Sequence, residues 1–233
     1  ASPTGLSLGH QKWIDTALEA TSDWVNYRPD KAVALLKDAG LTQNQEGNWF
    51  LPSGEPFELE ITVPAGWSDW VRSCQVMVQV FRELGLSVRL VTRDFAAWLH
   101  AVQHGDFDLA MGWSQRGVTP YEFFKGLMST ESIKAIGEMA GSNWHRFGSP
   151  EADLLLDQFE ATSDPEEQRD IMNQLQALFV REAPAIPLFP GPAWGAFNTA
   201  RFTGFPSEEN PYAVLSPNRP PESLLVLTEL EPK

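Results

Sequence analysis

Apolar positions recur along this chain in two alternating rhythms. Between Phe57 and Val63 they fall on every second residue, with Phe57, Leu59, Ile61 and Val63 separated by Glu58, Glu60 and Thr62. That period predicts a strand with one polar face. Over residues 67–84 the spacing becomes helical: Trp70, Val71, Cys74, Met77, Val78 and Phe81 share one side, and Gly85 closes the segment. Residues 87–92 (SVRLVT) return to a strand. Asp94 is placed to cap a helix that Gly105 ends, and Phe107 to Met111 supply a third strand. Strands joined by short loops and intervening helices predict parallel pairing through right-handed crossovers.

The flanks carry further signals. Residues 11–20 predict a short helix with Trp13, Ile14 and Leu18 on one face. Pro29-Asp30 opens another, striped by Ala32, Leu35, Leu36 and Ala39 and stopped by Gly40. The Pro-Ser-Gly-Glu sequence at 52–55, between apolar segments, is a hairpin signal. Tyr121 to Met128 reads as an aromatic helix. Ser149-Pro150 and Asp164-Pro165 each place a polar cap before a first-turn proline and early acidic residues, a strong helix start. Residues 185–189 and 194–197 read as strands around a Pro-Gly-Pro turn. Residues 206–221 are Pro-rich and irregular, and 224–227 read as a last apolar strand. There is no internal repeat.

A chain of 233 residues that is 42% hydrophobic can bury one substantial core, or a main core with a smaller lobe. A net charge of −14 argues against a nucleic-acid partner, whose phosphates it would repel. The single cysteine, Cys74, forms no internal disulfide and reads as a packed small hydrophobe. The opening ASPTGLSLGHQ lacks a basic region followed by an apolar stretch, so it does not read as a signal peptide, and the sequence reads as starting within a longer protein.

Candidate chemistry is sparse. His100 and His104 have a metal-compatible spacing but no third ligand at a matching offset, which favours a solvent-facing pair and no metal. No Gly-x-Ser-x-Gly elbow surrounds Ser7, Ser114 or Ser142, and neither a phosphate-cradling loop nor a dinucleotide fingerprint is present, so no cofactor is expected. The 31 acidic residues leave a glycosidase open as an alternative. The most suggestive stretch is FDLAMGWSQRGVTPYEFF, at 107–124, where a buried strand runs into Gly112-Trp113 and a loop containing Arg116. Ligands of open α/β sheets sit beyond the carboxyl ends of strands, which points Trp113 and Arg116 at a ligand. Trp67, in PAGWSDW, follows another strand and is placed at the same edge. Trp144 lies in a loop before a helix, Tyr121 either stacks on a ligand or caps the core, and Trp194 reads as structural.

Four segments, in order, resemble the extracellular solute-binding proteins of family 5, receptors of ABC importers for dipeptides, oligopeptides and oligosaccharides. They are YRPDKAVALLKDAG, GDFDLAMGW, the long FGSPEADLLL…REAPAIPLF at 147–189, and the closing strand region. The third is the most specific. The resemblance covers nearly the whole chain. It implies an α/β fold of the periplasmic-binding-protein type, with a mixed, mostly parallel sheet flanked by helices. It further implies that residues 1–233 are a single C-terminal ligand-binding lobe of a longer two-lobed receptor, with 206–233 as an irregular tail ending in a strand. In that family two lobes close around the ligand. The implied partners are a small-molecule ligand and a membrane permease. The implied state is a monomeric, non-enzymatic receptor in the periplasm or outside the cell, with or without a lipid anchor. In the family's peptide receptors the loop after Gly-Trp carries an Asp that pairs with the peptide's amine; here Arg116 stands at that place and would repel an ammonium group. The GWSQRGVTPYEFF and NWHRF segments look more like the cello-oligosaccharide branch. That likeness implies that Trp67, Trp113, Gln115, Arg116 and Asn143 meet a sugar, with Trp144 and Tyr121 beside them; an oligopeptide is the alternative ligand.

Overall fold

The computed structural model describes residues 2–23, 26–115, 117–191, 195–217 and 220–233. They form two compact units, Ala1–Leu188 and Phe189–Lys233.

The first unit begins with a 3-10 turn at Leu8–Trp13 and helix α1 (Thr16–Thr21) in place of the one helix predicted over 11–20. The break falls at Ile14, which is extended, and at Asp15, whose carboxylate accepts from the backbone N–H of Ala17 and Leu18 at 3.0 Å each and so starts a new helix. Helix α2 (Pro29–Asp38) forms as predicted, although Leu35 is exposed and Val33 and Leu36 make the inward contacts. Strands β1 (Thr42–Gln43) and β2 (Trp49–Phe50) pair antiparallel across a turn at residues 44–48, and the predicted turn at 52–55 is closed by a single antiparallel bridge between Phe50 and Pro56.

The central run is β3 (Glu58–Pro64), α3 (Ser68–Glu83), β4 (Ser87–Arg93), α4 (Phe95–His104) and β5 (Leu109–Ala110). The three strands are parallel in the order β4-β3-β5, with Ile61 opposite both Leu90 and Leu109. The predicted third strand shrinks to two residues, though the N–H of Met111 still donates to the Thr62 carbonyl at 3.0 Å. Because one crossover leads away from β3 and the next returns past it, right-handed connections put α3 and α4 on opposite faces of the sheet. The predicted polar face of β3 therefore fails in its second half: Thr62 is 1% exposed and its hydroxyl has no hydrogen-bond partner. Near the strand's start the polar face persists, with the Glu60 carboxylate accepting from Arg89 at 2.7 Å and Arg93 at 3.1 Å. Ile61 and Val63 pack with Cys74, Val78, Leu86, Val88, Met111 and Trp49. The turn from α3 to β4 requires Gly85: its φ is +80°, and a Cβ there would lie 2.0 Å from the Gly47 carbonyl oxygen.

A second core joins α5 (Tyr121–Met128), α6 (Pro150–Ala161) and α7 (Pro165–Glu182), with Phe123, Phe124, Met128, Leu156, Met172, Leu175 and Phe179 at its centre. The predicted caps are present: Ser149 accepts from the Ala152 N–H, and Asp164 from those of Glu166 and Glu167. Buried Gln176 accepts from the Asp15 N–H and donates to the Trp13 carbonyl, tying the opening segment to α7.

No strand forms at residues 185–189 or 195–197, and the start of the latter predicted strand, Trp194, lies outside the described residues. In the second unit β6 (Phe202–Thr203) pairs antiparallel with β7 (Glu231–Pro232). The last strand expected over 224–227 is instead helix α8 (Glu222–Glu229), and the terminal strand is the two-residue β7. A four-residue apolar run has no period of its own, whereas Pro221 and Glu222 supply a helix start. Within α8, Val226 is buried and Leu224, Leu225 and Leu227 are exposed.

Candidate ligand-binding site

Each strand of the parallel sheet delivers one exposed aromatic ring just beyond its carboxyl end. Trp67 follows β3, Phe95 follows β4, and Trp113 follows β5; they are 37%, 44% and 41% exposed. Trp67 sits between the other two, its ring 5.7 Å from Phe95 and 6.2 Å from Trp113, with the planes within 22° and 29° of parallel. Behind them Trp98 is wholly buried, 5.2 Å from Trp113 and 5.8 Å from Phe95. Trp70 and Trp144 complete the cluster with near-perpendicular contacts, Trp70 against Trp67 at 4.7 Å and Trp144 against Trp113 at 5.1 Å. Edge-to-face and offset packing of this kind suits the ring quadrupoles and holds the three exposed rings in place.

Local sequence explains the placement. Gly66, at φ +85°, turns the chain so that Trp67 becomes the residue before α3. The Asp94 carboxylate accepts from the Ala97 N–H at 3.0 Å, which starts α4 so that Phe95 and Trp98 fall one turn apart on the same side. Gly112 lets the Trp144 ring approach: a Cβ there would be 3.3 Å from it.

Of the residues expected to face a ligand, Trp67 and Trp113 are exposed in this cluster and Trp144 is half-buried within it. Gln115 is exposed, its side chain lying across Gly126. Arg116 lies outside the described residues. Asn143 has a different task. It is 3% exposed, and its amide nitrogen donates to the carbonyls of Ser129 (3.2 Å) and Phe147 (2.6 Å) and to the Ser132 hydroxyl. Its amide oxygen accepts from the Phe147 N–H at 3.1 Å, so the side chain holds the 143–147 turn at φ +51°, a conformation asparagine tolerates. Tyr121 belongs to the helical core: its ring stacks on Phe159 at 5.8 Å, and its hydroxyl donates to Glu160 and accepts from Lys125. Burial first, then the Glu160 carboxylate, pushes the Tyr121 phenol above its usual range.

Sequence reasoning missed Phe95, Trp98 and Trp70. The rule that singled out Trp67 and Trp113, an aromatic just past a strand, applies equally to Phe95 after β4.

Other reactive groups are quiet. Burial pushes the Cys74 thiol up to about 11. Half-buried His145 donates from Nε2 to the Leu127 carbonyl at 2.8 Å, and desolvation pulls its imidazole below the usual value. Two open concavities lie elsewhere: one of about 710 Å³ beside β4, between Val78, Arg82 and Arg89, and one of about 410 Å³ lined by Glu60, Thr62, Arg93 and Asp108. No helix among the described residues is long and apolar enough to cross a membrane.

Comparison with known proteins converges on one group. A crystal structure of a periplasmic oligopeptide-binding protein from Thermotoga maritima, with mannohexaose bound, superposes on 100% of this chain and 44% of its own, with a TM-score of 0.87 and 26% identity. The dipeptide-binding protein of Escherichia coli (strain K12) is 26% identical over 163 residues, 69% of this chain and 28% of its own. The di/tripeptide-binding protein 4 of Pseudomonas aeruginosa (strain UCBPP-PA14) is 25% identical over 187 residues, 80% of this chain and 31% of its own. The chain thus spans less than half the length of each of these relatives. The profile of the bacterial extracellular solute-binding proteins, family 5, middle region, matches residues 2–135, more than half of the sequence, and the chain belongs to that family.

Proposed function

We propose that this chain is the C-terminal ligand-binding lobe of an importer receptor, and that it holds an oligosaccharide against Trp67, Phe95 and Trp113 without chemical change. The observation that carries the reading is the row of three exposed rings, one from each strand end. Flat apolar faces suit the C–H faces of sugar rings, and a row of them suits a ligand of repeating units. Support comes from the mannohexaose bound to the Thermotoga maritima protein, which matches this chain over its whole length. The receptor works outside the cytoplasm, where a second lobe closes over the ligand and the pair docks on a membrane permease.

The second reading is a peptide receptor, favoured by the names of the Escherichia coli and Pseudomonas aeruginosa relatives. Against it stands Arg116, a cation at the place where the family likeness implies an acidic partner for the peptide's amine. Calorimetric titration of the full-length receptor with cello- and manno-oligosaccharides, and in parallel with di- to pentapeptides, separates the two. Binding of the sugars is expected; binding of peptides alone defeats the sugar reading.

A further inference from the structure

We propose that His100 and His104 form a two-imidazole chelate on α4 for a divalent transition-metal ion. Residues four apart on a helix are surface neighbours. Here the two rings lie 4.0 Å apart between centroids, with their planes 15° from parallel. The protonation pattern is set as well. His104 Nδ1 is 2.8 Å from the His100 carbonyl oxygen, and a carbonyl only accepts, so Nδ1 carries a proton, and it is Nε2 that holds the lone pair in the neutral ring. Metal-bound imidazoles typically have this arrangement, the second ring nitrogen held by a backbone carbonyl or carboxylate.

Two nitrogens on one ion, at bonds of about 2.0–2.1 Å, stand roughly 3 Å apart with their in-plane lone pairs converging, so the metal would turn the rings out of their near-parallel stack about their side-chain torsions. His100 is exposed and His104 half-buried, which leaves room for that turn. Among the described residues no set of three or more His, Cys, Asp or Glu side chains is arranged around a metal, so water fills the remaining positions. Imidazole ligands with open positions favour copper(II) over nickel(II) and zinc(II). The other two histidines are committed elsewhere, His10 to the Gly117 carbonyl and His145 to that of Leu127. At about 100° per residue, His100 and His104 fall well round the helix from Trp98, so the metal and the ring cluster occupy different faces of α4.

The test is calorimetric titration of tag-free protein with CuCl2 and with NiCl2. One ion per chain is expected, copper the tighter. His100→Ala and His104→Ala should each weaken binding by about tenfold or more, the double variant should bind no more tightly than either, and His10→Ala should bind as the parent does. Undiminished affinity in His100→Ala, whose exposed position makes misfolding no explanation, would overturn the proposal. So would the absence of binding by the parent protein at about 1 mM metal.

Discussion

Replacing Trp113 with Ala tests whether the exposed rings meet a ligand. A tryptophan side chain offers up to about 250 Å², so its 41% exposure leaves on the order of 100 Å² for a sugar to cover. At about 25 cal/mol per Å², covering half to all of that area contributes about 1–2.5 kcal/mol, or a roughly 5- to 60-fold rise in Kd on removal. The rest of the ring packs against Trp67, Trp70, Trp98 and Trp144, so the substitution will also lower the melting temperature. Trp98→Ala separates the two effects. That ring is wholly buried, and its loss should cost about 3–5 kcal/mol of stability while removing no surface a ligand can reach. The assay is calorimetric titration of the full-length receptor with mannohexaose and cellohexaose, at a temperature where both variants remain folded. Unchanged affinity in Trp113→Ala would remove that ring from the site. Equal weakening by both variants would mean that the cluster acts only as scaffold.

His145 should make the fold sensitive to mild acid. Its folded value lies below the ordinary 6.5, chiefly through burial, so the unfolded chain takes up protons more readily and stability should decline as pH drops through about 6.5. Melting curves from pH 8 to 5 should show that decline, and a His145→Gln variant with the same slope would refute the assignment. Cys74, buried and with its thiol raised to about 11, should stay inert to a thiol reagent at neutral pH until denaturant is added; labelling of the native protein at the unfolded rate would contradict its placement. Thr62→Val keeps the shape and removes a buried hydroxyl that has no partner, so urea unfolding should show unchanged or slightly higher stability. A loss above about 1 kcal/mol would mean that the hydroxyl is hydrogen-bonded after all.

Elements whose signals are local were legible in the sequence. The caps at Asp94, Ser149 and Asp164 satisfy orphan N–H groups within one turn, so their helices start where the residue order says. The strand–helix alternation from Phe57 to Met111 likewise carries its parallel pairing, because short crossovers permit little else. The run at 224–227 was misread because four apolar residues have no period, and the neighbouring proline and glutamate decided for a helix.

The sequence by itself determined the order of elements, their starts and stops, and the presence of Trp67 and Trp113 at strand ends. Only the tertiary structure decided which side chains those elements share. The strand order β4-β3-β5 lays α4 over Thr62, which alternation alone had assigned to water. The same order gathers Trp67, Phe95 and Trp113, separated by 28 and 18 positions in the chain, into one row. Asn143 was drawn inward for the same reason: its amide partners come from residues up to 14 positions away, and their convergence has no signature in local spacing. Burial and ring contact depend on what packs across the sheet, and that is a property of the assembled fold rather than of any one segment.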